Sequence, residues 1–219
     1  MKIKARRDKV GLKGCLKWTV FHHNEKGLLK LKELRDLLAA GKITAEERDK
    51  KRQDILENPL YSKIKERRLT FIDKLKSISP LMAGVNYNIV TDEGDALIAD
   101  IMQETPERTK VDNANGLIGV GTGFVSELKT TDALVTQTGS DEEMDATYPK
   151  TKGDWAAADD NVVQYRATFE AGDLNDTGID EGLLGNGTDT LAYAEMSPTV
   201  DVTTADTLQV DWELTYIGA

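Results

Sequence analysis

Apolar and polar residues alternate along residues 11–23, "GLKGCLKWTVFHH", with Leu16, Trp18 and Val20 on one face and Lys17 and Thr19 on the other. A period of two predicts a β-strand. From Leu28 the period changes, and Leu31, Leu34, Leu37 and Leu38 fall at helical spacing up to a stop at Gly41. Thr44 followed by Glu47 is a capping-box pattern, so a second helix should start there and end before Pro59. A third helix is expected from Leu60 to about Lys76, with Leu60, Ile64, Ile72 and Leu75 on one stripe and Lys63, Glu66 and Arg67 outside it.

Beyond Pro80 the pattern turns to short runs punctuated by Gly, Asn, Asp and Thr. "VNYNIV" reads as a strand, and "DEGDALIADIMQE" as a helix that can bury Ala96, Leu97, Ile98, Ile101 and Met102. "NGLIGVGTG" reads as a strand closed by a glycine turn. In "VVQYRATFEA" residues Val163, Tyr165, Ala167 and Phe169 face one way and Gln164, Arg166, Thr168 and Glu170 the other. "TLQVDWELTYIG" repeats this with Leu208, Val210, Trp212, Leu214 and Tyr216. Such alternation marks antiparallel strands with one buried and one wet face. The expected fold is α+β: mainly an antiparallel β-sandwich with one packed helix and a helical insertion at about residues 28–78. Residues 1–27 would form an arm and first strand, and residues 79–219 the rest of the sandwich.

Charge sharpens this division. Residues 1–80 carry 22 Lys and Arg against 11 Asp and Glu, whereas residues 81–219 carry 6 against 27. A basic part is joined to an acidic part, which points to docking on acidic surfaces and keeps nucleic acid open as a partner of the basic helices. The helices hold few aromatics and no recognition-helix pattern, which argues against nucleic acid. The single cysteine, Cys15, excludes an internal disulfide framework and reads as a half-buried strand residue. No stretch approaches a membrane span in length, so a soluble protein made in the cytoplasm is expected.

The candidate chemistry is thin. "GVGTG" lacks the last glycine of a dinucleotide fingerprint, because Phe124 stands there, and it lacks the Lys-Ser/Thr of a Walker loop. Asp173, Asn175 and Gly178 match positions one, three and six of a calcium loop, but position twelve is Leu184. A looser cation site among Asp173, Asp176 and Asp180 stays open beside an ordinary Asx-rich turn. His22 and His23 are adjacent on a predicted strand, so they point to opposite faces. No serine sits in a nucleophile elbow. The expectation is a protein without catalytic, metal or cofactor-binding residues, without a cofactor and without a small-molecule substrate.

Two resemblances add to this. The segment with Gly41, Ile43, Thr44, Glu47, Ile55 and Leu56 is similar to a short oligomerisation motif of two helices, with Arg48 where that motif usually carries an aromatic. The order of "NIVTDEGDALIADI", "LIGVGTG", "VQYRATF", "IDEGLL", "LAYAEMSP" and "LQVDWELTY" resembles a group of virion structural proteins of tailed bacteriophages, as does the opening "GLKGCLKWTVFHHNEKG". This resemblance covers residues 11–27 and 85–219 and implies a β-sandwich on the virion, among head decoration proteins and tail or fibre adaptors. Gly94, Gly121, Gly123 and Gly182 then belong to the frame. It implies the major capsid protein or another virion protein as partner, and a homo-oligomer. The residues expected to dock are the basic ones of the arm and second helix: Lys2, Lys4, Arg6, Arg7, Lys50, Lys51 and Arg52.

Overall fold

The computed structural model describes residues 11–68, 87–151 and 161–217. The chain forms β1 (Gly11–His23), α1 (Glu25–Ala39), α2 (Ala45–Glu57), β2 (Ser62–Arg68), β3 (Tyr87–Val90) and α3 (Asp92–Ile101). Seven strands follow: β4 (Leu117–Thr122), β5 (Thr136–Glu143), β6 (Lys150–Thr151), β7 (Val162–Phe169), β8 (Asp176–Gly185), β9 (Thr190–Val202) and β10 (Asp206–Ile217). Two antiparallel sheets pack together, one ordered β5-β4-β8-β9-β3 and the other β1-β10-β7-β6, with β2 also paired to β1. β3 joins them, since Tyr87 and Asn88 pair with β1 while Ile89 and Val90 pair with β9.

Alternation places the core as expected. Leu16, Trp18 and Val20 of β1, Tyr165, Ala167 and Phe169 of β7, and Leu208, Val210, Trp212 and Leu214 of β10 are buried in one cluster. Ile118, Val120, Ile179, Leu184, Ala192, Ala194 and Met196 enter it from the other sheet. Small residues face large ones: a Cβ on Gly182 would sit 3.2 Å from Leu16 and 3.7 Å from both Met196 and Trp212. An added methyl there would make ordinary contact with Met196 and Trp212 but would require the Leu16 side chain to give by a few tenths of an ångström.

α3 begins at Thr91, whose hydroxyl accepts the Gly94 N–H at 2.9 Å. Gly94 lies so close to the Leu191 backbone that any side chain there would overlap its carbonyl. Gly123 has φ +94°, a conformation glycine adopts without penalty. The fully buried Glu181 accepts the Val135 and Thr136 N–H groups and the Tyr193 hydroxyl, tying the segment before β5 to the sheet.

Three expectations need correction. The helix at Asp92–Ile101 buries Leu97 and half-buries Ala96 and Ile98, but Ile101 and Met102, at its end, are exposed. The third helix of Leu60–Lys76 is a strand over Ser62–Arg68, antiparallel to β1 with His23 opposite Ser62 and Phe21 opposite Ile64. β1 offers an unpaired edge there, and pairing with it overrides the local helix preference. Residues 69–76 lie outside the described residues. Among the described residues of the insertion at 28–78, α1 and α2 are helical and the next segment belongs to the sheet. The outer face of the β1-β10-β7 sheet is not wet along its length either: Thr168, Glu170, Thr207 and Gln209 are buried, and Arg52 of α2 reaches Glu170 while Gln53 meets Gln209.

Candidate docking surface

The hairpin is built as its sequence directs. Asn24 caps α1 by accepting the Gly27 N–H at 3.0 Å. Thr44 and Glu47 form the reciprocal capping box of α2, at 3.1 and 3.0 Å. Leu31, Leu34 and Ile55 bury a small core of their own, joined by Ile43, Tyr61 and Ala171. The Ser62 hydroxyl closes the end of α2 by donating to the Ile55 and Leu56 carbonyls.

Beneath α2 lies an ionic knot. Arg52, only 3% exposed, donates through Nη2 to Asp145 Oδ1 at 2.7 Å and through Nη1 to Glu170 Oε1 at 3.3 Å, and lies 3.1 Å from Asp49 Oδ1. The Thr168 hydroxyl donates to the other oxygen of Asp145, and the Ala146 N–H to the other oxygen of Asp49. Arg35 of α1 adds an ion pair to Glu170 at 3.2 Å. Burial pulls against the Arg52 charge, but Asp145, Asp49 and Glu170 together outweigh it and hold the guanidinium above its ordinary pKa. The Asp145 pKa is raised too, because burial, helped by the Asp49 charge, outweighs Arg52 and the Thr168 hydrogen bond. Beside the knot, burial and the charges of Asp173 and Glu170 push Glu142 up to about 7.

The expected docking residues therefore divide. Lys50 and Lys51 are exposed on α2. Arg52 is buried instead: its helical position turns it inward, and the acidic surface it meets is that of its own sandwich. Lys2, Lys4, Arg6 and Arg7 lie outside the described residues. Over residues 25–57 the two helices and their turn carry nine Lys and Arg against eight Asp and Glu. The basic excess of the first 80 residues thus comes from residues 1–24 and 58–80, on either side of the hairpin in sequence. An open cleft of about 370 Å³ separates α2 from the β6–β7 end of the sheet, with Lys50 and Asp54 on one side. Opposite, the Tyr148 ring lies beneath Lys150 and Arg166, 4.4 and 4.9 Å from its centroid.

The aspartates of the calcium-like loop serve three separate places. Asp173 accepts the Glu170 N–H, Asp176 the Thr138 hydroxyl, and Asp180 the Phe124 N–H. Among the described residues no three His, Cys, Asp or Glu side chains form a metal-binding group. No described helix is long and apolar enough to cross a membrane.

His22 and His23 do face opposite ways. His22 is largely exposed and lies 2.6 Å from Asp206, whereas His23 is buried with Nε2 2.8 Å from the Thr207 hydroxyl. Burial, opposed by Asp206 and assisted by His22, lowers the His23 pKa to about 4. The unfolded chain then binds the extra proton first, so this group's contribution is intact above about pH 6.5 and is lost as pH falls toward 4. Relative to His23→Gln, the unsubstituted protein should lose on the order of 2 kcal/mol across that window. Urea unfolding of both proteins at several pH values measures it, and a constant gap would show His23 to be hydrated.

Comparison with family models, with curated proteins and with solved structures finds no match to this chain.

Proposed function

We propose that this chain is a non-catalytic structural protein of a bacteriophage virion, a capsid decoration or cement protein that docks on the head shell. The observation that carries the reading is where the resembling motifs fall. Thr91 caps α3, Gly94 seats it on β9, "GTG" ends β4, Gly182 admits Leu16 and Trp212, and the "VDWEL" run of β10 fills the core. Every one of these is a framework position of a sandwich that presents surfaces. The same frame suits a tail, neck or baseplate adaptor, and copies per particle separate the two. A nucleic-acid-binding module draws less support, because the helices carry almost as many acidic as basic residues.

Docking would use the exposed Lys50 and Lys51 toward the major capsid protein or another acidic virion protein. Exposed ion pairs contribute only about 0.2–1 kcal/mol each. Lys50→Glu with Lys51→Glu should therefore lower occupancy on particles assembled without the chain, increasingly so at low salt, and leave the melting temperature unchanged. Particles purified from producing cells should carry the protein at a fixed copy number. Its absence from purified particles would refute the virion reading, and occupancy equal to the unsubstituted protein at every salt concentration would refute docking through these lysines.

A further inference from the structure

The outer face of the β1-β10-β7 sheet is composed as a wet face and is nevertheless covered. By the period of two, Thr19 of β1, Thr207 and Gln209 of β10 and Thr168 of β7 point away from the core residues beside them, and all four are buried. Phe21 is the one large apolar side chain beside them on that face. α2 meets the face through polar groups: Gln53 accepts from Gln209 at 3.2 Å, and Arg52 bridges Asp145 and Glu170. Leu56 adds a buried apolar side chain at the end of the helix. Two open clefts flank the knot, one of about 370 Å³ lined by Asp49 and Asp145 and one of about 380 Å³ lined by Arg48 and Glu170. The hairpin carries its own core of Leu31, Leu34 and Ile55 and its own cap at Thr44, and its two ends meet where the Asn24 N–H donates to the Tyr61 carbonyl.

We propose that α1 and α2 form a hinged cover that lifts from the sheet as a unit about Asn24 and Tyr61 while the sandwich stays folded, with Arg52 as its latch. Parts of one chain that meet through a polar interface move relative to each other, whereas a large apolar interface holds them fixed. Charges that separate into water recover their hydration, so opening the knot costs less than its contacts suggest. Unfolding the sandwich, by contrast, exposes Trp18, Trp212 and the rest of the main core. The opening of the cover therefore lies below global unfolding in free energy. The open form presents Asp145 and Glu170 without their cation. The inference does not depend on the virion reading.

Amide exchange would miss a lift that leaves the helical hydrogen bonds intact, so thiol labelling is the suitable measurement. Gln209 and Val210 are neighbours on β10, the first in contact with α2 and the second in the core. In a Cys15→Ser background, the thiol of Gln209→Cys should react several-fold faster than the global unfolding of that same chain allows. The thiol of Val210→Cys should react no faster than the unfolding of its own chain allows. Arg52→Lys keeps the charge but loses the planar fork that spans both carboxylates. The knot is absent from the open and the unfolded chain alike. Adding Arg52→Lys should therefore speed the labelling of Gln209→Cys and raise that chain's unfolding constant, measured in urea, by the same factor. Three results would each overturn the proposal: labelling of Gln209→Cys only through global unfolding, equally fast labelling of Val210→Cys, or a labelling rate that Arg52→Lys leaves unchanged.

Discussion

Replacing Arg52 by Met should cost about 3–5 kcal/mol of stability, the usual result of leaving buried charges without their partner. Asp145 and Glu170 are 6% and 9% exposed, and Arg52 is the cation that reaches both. Methionine fills part of the space but donates no hydrogen bond, so the carboxylates must protonate, recruit water or push α2 off the sheet. For a chain of this length the melting temperature should drop by roughly 10 °C. Adding Asp145→Asn and Glu170→Gln to the Arg52→Met chain should recover a good part of the loss, since it removes the uncompensated charge rather than the contact area. Thermal and urea unfolding of the two variants test this. A loss below about 1 kcal/mol for Arg52→Met would mean that water already solvates the knot.

Excising the hairpin altogether should be tolerated better than its position suggests. The Asn24 N–H donates to the Tyr61 carbonyl at 3.1 Å, and His23 pairs with Ser62, so the two ends of the hairpin meet. Replacing residues 25–61 by a single glycine leaves Asn-Gly between β1 and β2, a favoured two-residue turn. No residue of α1 or α2 enters the main core cluster. Asp145 and Glu170 would become hydrated, which removes the penalty that Arg52→Met creates. Uncovering the sheet face beneath the hairpin should still cost about 2–4 kcal/mol. The expected result is one cooperative transition at a lower midpoint. A broad or absent transition would show that the hairpin is part of the sandwich's folding unit. The excision stops at Tyr61 because β2 is sheet, and a deletion running through residue 78 would strip a strand from β1.

Local pattern alone determined the inward faces of β1, β7 and β10, the helical hairpin with its Thr44–Glu47 box, and α3 behind Thr91. Each depends on a period of two or 3.6, or on a cap that reaches only three residues along the chain. Tertiary structure decided the rest. Ser62–Arg68 is compatible with a helix and became a strand because β1 presented an edge. Arg52 is one basic residue among neighbours of the same charge, and its burial follows from which side of α2 meets Asp145 and Glu170, residues 93 and 118 positions away. The outer faces of β7 and β10 carry polar residues that read as wet, and they are dry because a segment from elsewhere in the chain lies across them. Periods and caps report what a segment can do by itself, whereas burial of charge depends on which surfaces meet.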